Sequence, residues 1–236
     1  MADGIQVFMQ PGTVFFGGEQ FSWPTATLES AAMDPSIVVA AASIAEEYNS
    51  DCLLVIRHGQ LVHEQYWNGT TANDFQQTYS GTKSVFSLLV GRVIQRGYVE
   101  HFGQRVRDFI PEMPKSQGQL TFHNVLAMMP GTLNVTAEVE GAGAKGFTHL
   151  DTALTREVVA LPFARYSYNN SAYRLLHTAL ERASGKALED LTAEEIFDPL
   201  FFSEGTHWVL NYATTPDKGD VFLGYQSIKM TPRDFA

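Results

Sequence analysis

Tyr79-Ser80-Gly81-Thr82-Lys83-Ser84 opens a long apolar run, and its reading decides the fold. A serine hydroxyl is a weak nucleophile until a nearby base takes its proton. Positions i and i+3 share one face of a helix, so Lys83 is expected beside the Ser80 Oγ. A lysine desolvated among apolar neighbours loses part of its preference for the charged form and can then act as that base. Downstream, Phe86, Leu89, Val90, Val93 and Ile94 recur at helical spacing, with Val85 and Leu88 widening the stripe. The pattern predicts a helix buried on most sides, ended by Gly97, with Ser80 at its N-terminus, where the dipole favours developing negative charge. The 14 serines and six lysines give about 0.4 such pairs by chance, so the spacing needs a second element.

Tyr168-Asn169-Asn170 supplies one, just ahead of an amphipathic run in which Ala172, Leu175, Leu176, Ala179, Leu180 and Ala183 share a face and Gly185 follows. A tyrosine near a lysine ionises more readily than its ordinary value near 10. Tyr168 could then take the serine proton and return it to a leaving group. Asn170 offers a donor and an acceptor to Lys83 or to a substrate carbonyl. Tyr166 and Tyr173 read as packed aromatics, and Tyr66-Trp67-Asn68 as part of a hairpin.

Outward from these motifs, Asp34-Pro35 reads as a helix start and Ile37–Tyr48 as the helix. Leu53–Ile56 is a short strand, Arg57–Gln60 a turn and Leu61–Trp67 the return strand. Thr121 caps a short helix to Met129, ended by Pro130-Gly131. Residues 132–149 read as a loop, and Asp151–Leu161 and Leu188–Phe197 as further helices. Residues 1–30 read as an irregular arm. Thr231-Pro232-Arg233-Asp234 carries a helix-start signature close to Ala236, which gives the expectation of a polypeptide cut from a larger fold.

The composition is that of a globular protein, 44% hydrophobic and 18% charged. A net charge of −10 with scattered acidic residues speaks against nucleic acid or an anionic membrane as partner. No apolar stretch reaches membrane-spanning length. No signal peptide is evident, so a cytoplasmic location is expected unless a leader has been removed. Cys52 stands alone and reads as a small buried residue. The Asn-x-Ser/Thr sequences at Asn68, Asn134 and Asn169 read as chance matches. Gly141-Ala142-Gly143-Ala144-Lys145-Gly146 follows no convincing strand, so dinucleotide binding is not expected. His58 and His63 lack a third ligand at metal spacing. No cofactor and no metal are expected, and no Gly-x-Ser-x-Gly elbow marks an α/β-hydrolase.

Taken together, the chain resembles the serine β-lactamase-like superfamily in its class C branch, which includes β-lactamases, DD-peptidases, esterases and 6-aminohexanoate-oligomer hydrolases. Tyr79–Ser84 resembles its first motif and Tyr168-Asn169-Asn170-Ser171-Ala172-Tyr173 its second. Leu120–Leu126, Phe197-Asp198-Pro199-Leu200 and the stretch from Gly224-Tyr225 to Ala236 resemble other family segments, in family order. The resemblance implies an α/β (α+β) fold: an antiparallel sheet flanked by helices plus a mostly helical domain, β-lactamase/transpeptidase-like, with the sheet incomplete in this chain. The expected division is 1–70 for the arm, helix and hairpin, 71–212 for the mostly helical part, and 213–236 for the return toward the sheet.

By the same resemblance Ser80 is the acylated nucleophile, Lys83 its activating partner, Tyr168 the general base and acid, and Asn170 a polar substrate or lysine contact. The Ser80 backbone N–H would be one half of an oxyanion hole. Two departures stand out. Met128-Met129-Pro130-Gly131 replaces a His-Thr-Ser-Gly type sequence, and no Lys-Thr-Gly or His-x-Gly follows Tyr168. The expected activity is cleavage of an ester or small amide. β-Lactamase or DD-peptidase activity, or a non-catalytic binding role, are the alternatives. A second chain or C-terminal segment completing the sheet is the expected macromolecular partner.

Overall fold

Asp34 accepts the Ser36 N–H at 2.8 Å and Pro35 supplies a preset φ, so the first helix, α1 (Pro35–Glu47), starts where its caps dictate. The computed structural model describes residues 22–134, 149–208, 210–211, 221–222 and 228–236. Most of the expected N-terminal arm, the Gly141–Gly146 stretch and Gly224-Tyr225 lie outside the described residues. Helix α1 buries Val38 and Ala42 but leaves Ile37, Val39, Ile44 and Tyr48 exposed.

Strands β1 (Cys52–Arg57) and β2 (Gln60–Tyr66) form an antiparallel hairpin with a register shift between Val55 and Ile56. His58 and Gly59 both have positive φ, 52° and 72°, as a two-residue turn matched to strand twist requires. Cys52 is half-buried rather than buried, and burial pushes its thiol pKa up, away from reactivity.

After β3 (Gln76–Gln77) comes helix α2 (Thr82–Gln95), which buries Phe86, Leu89, Val90 and Val93 completely. Leu88, expected inside, is 58% exposed, so the buried stripe is narrower than the apolar pattern suggests. The short helix α3 (Phe122–Leu126) has a full capping box between Thr121 and Asn124.

Helix α4 (His149–Leu154) stops well before Leu161, correcting the expected span. Two contacts end it. The buried Gln117 Nε2 donates to the carbonyls of Ala153, Leu154 and Arg156 at 3.2, 3.1 and 2.9 Å, taking the helix end out of the ladder. The following chain is then captured by 131–133, through Leu133 N–H to Glu157 O and a bridge between Thr132 and Val158.

Helix α5 (Asn170–Ser184) packs its apolar face on α2 and ends at Gly185, whose φ of +71° suits a left-handed cap. The expected Leu188–Phe197 helix is instead α6 (Leu188–Thr192) followed by a π turn over Ala193–Phe197. That wider turn lets buried Glu195 meet Arg92 at 2.9 Å and Arg96 at 2.6 Å while Ile196 and Phe197 stay in the core. The core gathers α2 and α5 with Val106, Ile110, Leu120, Phe122 and Leu188 from the segments between and after them, and each fully buried Leu or Phe contributes about 1.5–3 kcal/mol.

The remaining strands are β4 (His207–Trp208), β5 (Leu210–Asn211), β6 (Val221–Phe222) and β7 (Ile228–Met230). Strand β7 pairs antiparallel with β3 on one side and β4 on the other, and β5 pairs with β6. The final helix, α7 (Pro232–Phe235), has a Thr231–Asp234 capping box. Arg233 binds the Glu64 carboxylate through two 2.7 Å bonds and so fastens α7 to β2, holding the Glu64 carboxyl below its usual range. No helix among the described residues is long and apolar enough to cross a membrane.

Candidate active site

Ser80 sits in a 3₁₀ turn, Tyr79–Gly81, that leads straight into α2. Strand β7 holds this turn. Thr78 gives its N–H to Ile228 O at 2.9 Å, and the Ile228 N–H donates to Thr82 Oγ1 at 3.2 Å. Thr78 and Thr82 also share a hydroxyl–hydroxyl bond of 2.9 Å. Tyr79 is left-handed at φ +44°, a conformation that costs a non-glycine residue about 1 kcal/mol or more and is sustained only by such fixings. The Ser80 N–H lies ahead of the first backbone bonds of the turn, made by Gly81 and Thr82. A Cβ on Gly81 would lie 2.8 Å from the far end of the exposed Phe235 ring of α7, which would have to shift.

Tyr168 reaches the same point from the other side. Asn169 is fully buried and caps α5, its Oδ1 accepting the Ala172 N–H at 2.9 Å. Its Nδ2 donates to the Thr132 carbonyl at 2.8 Å, locking the motif to the 128–134 segment. Ser167 N–H to Met128 O at 2.9 Å and Phe163 N–H to Met129 O at 3.0 Å extend that lock. Gly131 makes it possible. It has φ +74°, its carbonyl accepts from Val159 and Ala160, and a Cβ would meet Ala160 O at 2.2 Å. Gly131→Ala is therefore expected to cost about 2–3 kcal/mol. A thermal melt would read this as a drop of about 5–10 °C; an unchanged melt would contradict it.

The three side chains meet on one oxygen. Lys83 Nζ donates to Ser80 Oγ at 3.0 Å and Tyr168 OH donates to it at 2.7 Å. Lys83 is buried, with Nζ 4.9 Å from the Tyr168 ring centroid. Burial works to raise the Tyr168 pKa. Hydrogen bonds with Lys83 and Ser80, and the Lys83 charge, outweigh it and bring the phenol below its ordinary value near 10. Asn170 begins α5, and its buried Oδ1 accepts no hydrogen bond among the described residues. Tyr173 is packed as expected, whereas Tyr166 is 63% exposed, not packed.

Sequence reasoning missed three supports. Thr82 lies inside the first motif, but nothing local marks its hydroxyl as the acceptor for the Ile228 N–H. Asn169 carries an N-cap signal that its chance Asn-x-Ser match obscured; buried and bonded, it is no glycosylation acceptor. Gly131 reads in the sequence as a helix stop alone. Among the described residues no cluster of three His, Cys, Asp or Glu could hold a metal ion.

The β-lactamase family model matches residues 29–236. The chain belongs to the β-lactamase family. Solved structures agree in fold. A protein assigned as a 6-aminohexanoate-dimer hydrolase from Bacillus anthracis is 17% identical with a TM-score of 0.71, over 91% of this chain and 60% of its own. One assigned as a β-lactamase from Bacteroides dorei DSM 17855 is 20% identical with a TM-score of 0.69, over 86% and 61%. The class C β-lactamase of Rhodobacter sphaeroides is 17% identical with a TM-score of 0.63, over 85% and 63%. The chain thus spans about three fifths of the length of these structures. No curated protein matches the sequence.

Proposed function

We propose that this β-lactamase-family chain carries the acylation machinery of a serine hydrolase that cleaves ester or small amide bonds through an acyl-Ser80 intermediate. One observation carries the reading: Ser80 Oγ receives hydrogen bonds from both Lys83 Nζ, at 3.0 Å, and Tyr168 OH, at 2.7 Å.

The chemistry follows from that arrangement. Tyr168, as phenolate, removes the Ser80 proton while Lys83 balances the charge. Ser80 Oγ attacks the carbonyl carbon, and the negative oxygen develops beside the Ser80 N–H. Tyr168 then delivers its proton to the departing oxygen or nitrogen, the C–O or C–N bond breaks, and acyl-Ser80 remains. Water attacks the acyl carbon with Tyr168 taking its proton, the bond between the acyl carbon and Ser80 Oγ breaks as Tyr168 returns that proton to Oγ, and the carboxylic acid leaves. Asn170, whose buried Oδ1 accepts no hydrogen bond among the described residues, is the polar group that would meet Lys83 or a substrate donor once the site rearranges around substrate. A second oxyanion donor, supplied by a polypeptide segment that completes the sheet, would speed acylation by about 10²–10³-fold.

p-Nitrophenyl acetate tests this. One equivalent of p-nitrophenolate per chain is expected in a fast phase, followed by slower turnover. A folded chain that releases none would favour a binding role. Acylation by a penicillin but not by the ester would favour the β-lactamase or DD-peptidase reading.

A further inference from the structure

We propose that Tyr173 is a positioning residue that holds Lys83 against Ser80 through the face of its ring; this rests on the serine hydrolase reading above. Lys83 Nζ lies over two rings, 4.9 Å from the centroid of Tyr168 and 5.7 Å from that of Tyr173. Both distances are inside the roughly 6 Å over which an aromatic face attracts a cation, and the attraction strengthens when the cation is desolvated. Lys83 is 8% exposed and Tyr173 3%.

The two rings are not equivalent. Tyr168 is 42% exposed, sits at the mouth of the site and bonds Ser80. Tyr173 lies in the first turn of α5, packed beside Phe86 at a centroid distance of 6.0 Å, with Trp208 6.5 Å from Phe86. Phe86 on α2, itself backed by Trp208 on β4, therefore packs against the ring and limits its movement. Burial, then the nearby Tyr168 charge, pushes the Tyr173 pKa up to about 12. It stays a neutral phenol across the working range, so it does not compete with Tyr168 as a base. The groups acting on the Tyr168 phenol are Lys83 from α2 and Ser80 from the 3₁₀ turn, and the phenol in turn acts on Tyr173 from α5. A cation held by Tyr173 is a cation kept beside Tyr168, where it favours the phenolate.

The test drains the ring face with only a small change in its size. Phenylalanine and then di-, tri- and pentafluorophenylalanine are placed at position 173, and the Tyr168 phenol is titrated by NMR with ring-labelled tyrosine, assigned with Tyr168→Phe. Tyr173→Phe is expected to titrate and turn over within about twofold of the parent. Increasing fluorination is expected to raise the Tyr168 pKa stepwise, to carry the ascending limb of kcat/KM upward with it, and to lower kcat/KM about threefold to tenfold. A flat series in folded protein would overturn the proposal, as would Tyr173→Phe already showing the full loss. The titration needs no turnover. Failure of the hydrolase reading therefore shows as a missing ester burst, and failure of the Tyr173 assignment as a flat titration series.

Discussion

Ser80→Ala is expected to abolish the p-nitrophenolate burst and to lower steady turnover by about 10⁴–10⁶-fold relative to the parent chain. The reasoning is covalent. Without Oγ no acyl intermediate forms, and what remains is water attack aided by the charges left in the site. The fold is expected to survive. Ser80 is exposed, and the substitution removes only the acceptor shared by Lys83 and Tyr168. Its effect on stability should stay within about 1 kcal/mol. A Ser80→Ala chain that melts like the parent and keeps the burst would place the nucleophile elsewhere.

Tyr168→Phe is expected to lower kcat/KM by about 10²–10⁴-fold. The variant keeps the ring over Lys83 but loses the hydroxyl that bonds Ser80. The pH profile gives the sign. A base works when deprotonated, so activity rises with pH through the Tyr168 pKa. That pKa is lowered from the ordinary phenol value, which puts the ascending limb below pH 10. The limb should be present in the parent and absent in the Phe variant. A Phe variant that keeps both the limb and most of its activity would assign the base role to Lys83.

Much of this arrangement is legible in the chain because the signals are local. Asp34-Pro35 starts α1, His58-Gly59 makes the hairpin turn, and Thr121 with Asn124 caps α3. Ser80, Lys83 and Tyr168 are legible because each motif precedes an amphipathic helix, so order and spacing combine. What was not legible depends on distant residues. Nothing near Leu154 says that Gln117, far earlier in the chain, will take its carbonyl and end α4. Nothing near Ala193 says that Arg92 and Arg96 will draw Glu195 inward and widen the turn. The roles of Thr82 and Gly131 depend in the same way on Ile228 and Ala160.

The most direct test of the central claim is covalent capture. The chain is treated with a fluorophosphonate, its intact mass is measured, and the modified peptide is sequenced. One phosphonyl group per chain on Ser80, with none on the Ser80→Ala variant, is the predicted result. A folded chain that stays unmodified, or carries its adduct on another residue, would contradict the assignment of Ser80 as the nucleophile.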